Sequence, residues 1–248
     1  MNYDRLNRRD FLQKMGFAAA CLTGINSSGF AETVSGRSPN VLLIVADDMG
    51  WADLGCYGNR WHETPNIDRL SAGGVRFSDA YAASPVCTPT RASIMTGKSP
   101  ARLHMTTWHE RTTDIPQDLP LLPAAAEGNL PLSEKTLAEA LREWSYFTAH
   151  IGKWHLGDAA HYPETQGFDA NIGGTFWGAP QTFFYPYAGQ GMWEQGEYRY
   201  VPHLELGREG EYLTDRLTDE ALRLIEASRD RPFFYQSQLP FCTYADRG

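Results

Sequence analysis

Three short runs hold side chains that could do chemistry together: Asp47-Asp48, Cys87-x-Pro89-x-Arg91 and Lys153-Trp154-His155. In the second, Pro89 suits a first helical position, where its missing N–H goes unused, and Thr88 can serve as N-cap. Cys87 would then sit at the mouth of a helix, where unpaired N–H groups and the dipole favour an anion. Arg91, one turn on, adds a fixed cation with planar donors. A small nucleophilic side chain over an anion cradle suits attack on a sulfate or phosphate ester. Lys153 offers a further cation, and His155 a group that exchanges protons near neutral pH. Adjacent carboxylates suit a hard cation with oxygen ligands, calcium or magnesium. Each run read alone also has a plainer meaning: a core thiol beside a surface arginine, two solvated polar residues, an acidic turn.

The elements that must position these residues alternate between strand and helix. Residues 40–46 (Asn-Val-Leu-Leu-Ile-Val-Ala) form a continuous apolar, β-branched run, the pattern of a buried parallel strand. It delivers Asp47-Asp48 to a carboxyl edge, where ligands collect in open α/β sheets. Thr64-Pro65 opens a helix that Gly73-Gly74 ends, and residues 75–77 read as a strand. Residues 99–131, rich in proline and polar side chains, read as a long surface excursion, with His104 and His109 as candidates to line a cleft. Leu137, Ala140, Leu141 and Trp144 share a helical face after Ser133 as cap. Residues 146–151 form the strand that carries Lys153 and His155 to the same edge as Asp47. A helix through Leu217, Ala221, Leu224 and Ile225 precedes a last strand at residues 231–235. Nine aromatics between residues 176 and 200, among them Trp177, Phe184, Tyr187, Trp193 and Tyr200, could stack on a sugar or aryl ring or simply pack on the core.

The full run Ser84-Pro-Val-Cys-Thr-Pro-Thr-Arg-Ala-Ser-Ile-Met-Thr-Gly97 resembles the signature of the type I sulfatases, arylsulfatase-like bacterial members included. Ser145-Tyr-Phe-Thr-Ala-His-Ile-Gly-Lys-Trp-His155 is similar to their second signature, with Ser145 where a glycine is usual. The resemblance spans residues 39–236. It implies an alkaline phosphatase-like α/β sandwich, a largely parallel central sheet flanked by helices, and hydrolysis of a sulfated carbohydrate or aryl sulfate. It implies that a maturase oxidises Cys87 to formylglycine, whose hydrate attacks sulfur through one hydroxyl and expels sulfate by deprotonation of the other, a covalent route. It implies that Asp47, Asp48 and the modified Cys87 hold calcium, that Lys153 binds sulfate oxygens, that Arg91 and Lys153 neutralise developing charge, and that His155 contacts the formylglycine hydroxyls and assists the proton transfer. A phosphodiesterase or phosphonate hydrolase with the same modified cysteine is the neighbouring reading.

Composition sets the outer limits. A chain of 248 residues with 42% hydrophobic content can bury a substantial core. A net charge of −8 offers no broad basic surface and argues against nucleic acid as partner. Cys21, Cys56, Cys87 and Cys242 are too widely spaced to suggest a disulfide framework or a zinc site. Residues 1–31 read as an export signal rather than as fold. Arg8-Arg9-Asp10-Phe11-Leu12 resembles a twin-arginine signal, a short apolar stretch follows, and Gly29-Phe30-Ala31 offers a cleavage site. The expectation is delivery by the twin-arginine translocase to the periplasm or exterior. Lipidation at Cys21 is an alternative that lacks the usual upstream residue. Toward the other end, Gln238 to Tyr244 holds no histidine where the family has one. The family's later Asp-Asn ligands and second lysine have no counterpart in these residues. The expectation is therefore a catalytic domain over residues 39–248 that lacks its C-terminal part and is nearly inactive as it stands.

Overall fold

A computed structural model describes residues 38–113, 120–121, 125–190 and 198–240. The expected export signal at residues 1–31 with Cys21, and also Trp193 and Cys242, lie outside the described residues. In chain order the elements are β1 (Val41–Asp47), α1 (Pro65–Ala72), α2 (Cys87–Thr96), α3 (Pro100–Leu103), α4 (His109–Thr113), α5 (Leu137–Arg142), β2 (Phe147–Gly152), β3 (Ala170–Ile172), β4 (Gly189–Gln190), β5 (Tyr198–Arg199), α6 (Leu213–Ala227) and β6 (Phe233–Pro240). Four strands form one sheet in the order β1-β6-β2-β3. All three ladders are parallel. The expected parallel α/β architecture is therefore present.

The sheet divides two apolar layers, because side chains alternate faces along each strand. On one side Val41, Leu43 and Phe234 pack with Ala92 and Met95 of α2 and Ala138 of α5. On the other, Ala149, Ile151, Phe233 and Tyr235 pack with Leu213, Leu217 and Ala221 of α6. That helix shows the four-residue apolar spacing the sequence displays. It lies over β2 and β6, and one helix about 10 Å wide covers roughly two strands spaced near 4.8 Å. Leu42 and Ile44 on β1 consequently stay 45% and 57% exposed. This corrects the reading of residues 40–46 as buried on both faces.

Other expectations also change. Residues 75–77 form no strand: Val75 and Phe77 are exposed, and the Phe77 carbonyl accepts from the Tyr57 hydroxyl in a loop. The segment 99–131 is not merely a surface excursion, since Leu103, Met105 and Leu130 enter the first apolar layer and the Leu130 N–H bonds the Leu156 carbonyl at 2.8 Å. The cap of α5 is Thr136, not Ser133. Its hydroxyl accepts from the Glu139 N–H while the Glu139 carboxylate accepts from the Thr136 N–H, a reciprocal capping box. Trp144 lies beyond that short helix and is exposed. Ser145 has φ 63. Glycine reaches that left-handed region freely and serine does not, which gives a physical reason for the glycine usual at this point in the resembling signature.

Candidate active site

The register of the sheet explains why residues far apart in sequence meet. Asp47 ends β1 opposite Pro240, and Gly152 ends β2 opposite Gln238. Asp47 and Lys153 therefore flank the carboxyl end of the same central strand. Two strand spacings separate them, a gap of about 10 Å between backbones that a lysine side chain can cross. Lys153 Nζ reaches Asp47 Oδ2 at 2.6 Å. Gly152 permits the approach: it has φ +93, and a Cβ there would lie 2.1 Å from the Gln238 carbonyl oxygen.

Helix α2 meets this edge with its N-terminus. Its N-cap is Val86, in extended conformation, with Cys87 as the first helical residue. The expected cap, Thr88, is instead a buried tie. Its hydroxyl donates to the His155 carbonyl at 2.9 Å and accepts from the His109 N–H at 3.2 Å. Pro89 still falls in the first turn, where its missing N–H leaves no intrahelical bond unmade. No side chain caps α2, so its first N–H groups and dipole bear on the space occupied by Cys87.

Arg91, 2% exposed, sits one turn along and faces the sheet edge. Its guanidinium donates to Asp47 Oδ1 at 2.8 Å and also to the Lys153 carbonyl. Each carboxylate oxygen of Asp47 thus takes one cation. Burial alone would raise the Asp47 pKa, but the Arg91 and Lys153 charges and hydrogen bonds hold it below the usual range. Asp48 follows with φ 59 and is exposed.

Burial would likewise raise the Cys87 thiol. The neighbouring imidazole of His155 and the charge of Lys153 outweigh it, bringing the pKa to about 7 against opposition from Asp47. His155 itself, at φ 59, is buried, and its Nε2 bonds Glu110 Oε2 at 2.6 Å. The other Glu110 oxygen accepts from the Gly178 N–H at 3.1 Å. Burial pushes the Glu110 carboxyl up, but the His155 hydrogen bond and the donated N–H groups bring it down to about 2. Gly178 must be glycine for this packing: a Cβ would approach the His155 ring to 2.7 Å.

Five sequence-derived candidates therefore converge: Asp47, Cys87, Arg91, Lys153 and His155. Asp48 stands beside them at the strand end. His104 is exposed at the C-terminus of α3. His109 is buried, with Nδ1 bonded to the Gly128 carbonyl at 2.8 Å and its ring edge-on to Phe176, so neither histidine joins the cluster. Glu110 was not singled out, because an acid within a polar segment carries no periodic or spacing signal. Among the aromatics, Trp177 and Tyr187 are buried and Phe184 and Tyr200 exposed. Trp177 stacks under Arg199 with 4.9 Å to the ring centroid. His150, fully buried between Trp154 and Phe168, is kept neutral by burial and Arg91, its pKa falling to about 3.

The donor set suits a divalent cation in kind, since Asp47 is an ionised carboxylate with Asp48 adjacent. Two carboxylates are fewer than the six to eight oxygens calcium takes, and the described residues gather no group of three or more acidic, histidine or cysteine side chains fit to hold a metal.

A parallel sheet with helices on both faces, and an acidic strand end meeting a cysteine at a helix N-terminus, fit the alkaline phosphatase-like α/β fold that the structural neighbours share. The sulfatase family model matches residues 39–239, and the chain belongs to that family. Relatives include human steryl-sulfatase, 45% identical over 146 residues (56% of this chain, 24% of the relative). Human N-acetylgalactosamine-6-sulfatase is 36% identical over 219 residues, or 83% of this chain and 40% of the relative. Among solved structures, Ps i-CgsB in complex with k-i-k-neocarrahexaose superposes with a TM-score of 0.66 at 31% identity, covering 85% of this chain and 46% of that one. The chain thus spans less than half the length of these proteins.

Proposed function

We propose that this chain carries the nucleophile of a sulfuric ester hydrolase acting on sulfated carbohydrates. The observation that carries the reading is the convergence of Cys87, at an uncapped helix N-terminus, with Lys153, Arg91 and His155 on the carboxyl edge of the sheet. A sulfate ester presents three oxygens whose charge grows during cleavage, and preorganised donors aimed at them supply most of such catalysis. Lys153 and the first N–H groups of α2 are donors that bear on residue 87. Arg91 fixes the Lys153 backbone and Asp47 together and so holds the cradle rigid. His155 exchanges the proton at residue 87.

A formylglycine formed from Cys87 by a maturase would supply the attacking oxygen. A calcium ion, with Asp47 and Asp48 among its ligands, would neutralise sulfate oxygens. The carbohydrate preference is supported by relatives named for N-acetylgalactosamine-6-sulfate and by solved neighbours bound to neocarrahexaose and D-glucosamine-2-N,6-O-disulfate. Comparing turnover of paired aryl sulfates and aryl phosphates by the full-length, matured protein tests the reaction class. Sulfate turnover lost in Cys87→Ala is expected; a preference for the phosphate would move the protein to the phosphodiesterase reading. Residues 1–31 we read as a twin-arginine signal. Replacing Arg8 and Arg9 by lysine should then retain the protein in the cytoplasm, and unchanged export would remove that assignment.

A further inference from the structure

Building on the sulfatase reading, we infer that Glu110 is the positioning residue of this site, fixing His155 in one tautomer with its free lone pair toward residue 87. The geometry leaves little choice. Glu110 Oε2 lies 2.6 Å from His155 Nε2, and an ionised carboxylate can only accept, so Nε2 carries the hydrogen. Nδ1 is then the acceptor atom of the ring. It is buried and has no hydrogen-bond partner, while the ring lies beside the Cys87 side chain.

The carboxylate is itself held from both ends. Its second oxygen accepts the Gly178 N–H at 3.1 Å, and His109, its neighbour in α4, is anchored to the Thr88 hydroxyl of the nucleophile helix. A Cβ at Gly178 would meet the His155 ring at 2.7 Å and Glu110 Oε1 at 3.2 Å. Acid, imidazole and nucleophile-bearing residue are thus packed as one unit.

The proton accounting follows. A proton leaves the atom borne by residue 87, an N–H bond forms at Nδ1, and Glu110 stays ionised, stabilising the imidazolium. The ring returns the proton to solvent before the next turnover. Glu110 takes no proton and acts through the imidazole.

Selective 15N-histidine labelling of the full-length protein tests this, with His155 assigned by the signals lost in His155→Gln. The wild-type spectrum should show the hydrogen on Nε2; a hydrogen on Nδ1 in neutral His155 overturns the inference with no variant needed. In Glu110→Gln the side chain keeps its shape and an acceptor for Gly178, but its amide can donate to Nε2. The tautomer should then shift toward hydrogen on Nδ1. In matured protein kcat should fall about 10²-fold or more with KM nearly unchanged. An unshifted tautomer and unchanged kcat in folded Glu110→Gln would leave the residue a structural bridge and overturn the assignment. The tautomer is read on unmodified chain, so a failure of Cys87 maturation or of sulfate turnover sinks the sulfatase reading without deciding this one.

Discussion

The residue that ties the site together is Asp47 rather than Cys87. Asp47 joins two cations that come from different elements, Arg91 on α2 and Lys153 beyond β2, and the three side chains are 13%, 2% and 10% exposed. Removing one partner of such a buried set leaves the others charged and unpaired, a loss of roughly 3–5 kcal/mol. Asp47→Asn should therefore lower stability by several kcal/mol in urea unfolding, even with metal chelated. A variant as stable as wild type would show that these ion pairs are solvated and carry no structural weight.

Among the elements, the strands were legible as short continuous apolar, β-branched runs, and the long helix as apolar residues recurring at helical spacing. The runs 40–46 and 146–151 became β1 and β2 within a residue or two, and the Leu217-Ala221-Leu224 spacing became α6. The nucleophile helix was legible in place but not in its cap. Thr88 has the chemistry of an N-cap, yet its hydroxyl is claimed by the His155 carbonyl and the His109 N–H, contacts set by tertiary packing. The run 75–77 failed as a strand because three residues carry too little pattern to prove a ladder partner. Glu110 was invisible for a related reason: its role depends on Gly178 and His155, 68 and 45 positions away. At the turn into β2, Ser145→Gly should relieve the left-handed conformation at φ 63 and stabilise the fold by about 1 kcal/mol. A shift of the denaturation midpoint the other way would place the extra freedom of glycine in the unfolded chain above the strain it removes.

For the molecule as a whole, acid should act first at the site. The Glu110 carboxyl is lowered from 4.5 to about 2 by His155 and its N–H donors, against burial. A depressed folded pKa means that the group stabilises the fold fully above the unfolded value and loses that contribution as pH falls from about 4.5 toward 2. Asp47, lowered in the same direction despite its burial, adds to the same limb. Unfolding free energy measured across this window should decline, and Glu110→Gln should flatten the decline; an identical acid limb in that variant would contradict the assignment.

The account rests on residue 87 being a built nucleophile rather than a core thiol. Peptide mass spectrometry of that residue, after expression of the full-length protein with a formylglycine-generating maturase, tests this most directly. The account predicts that the Cys87 thiol is replaced by an aldehyde, the other cysteines keeping their thiols. Recovery of Cys87 only as thiol, under conditions that mature a control sulfatase, would contradict it.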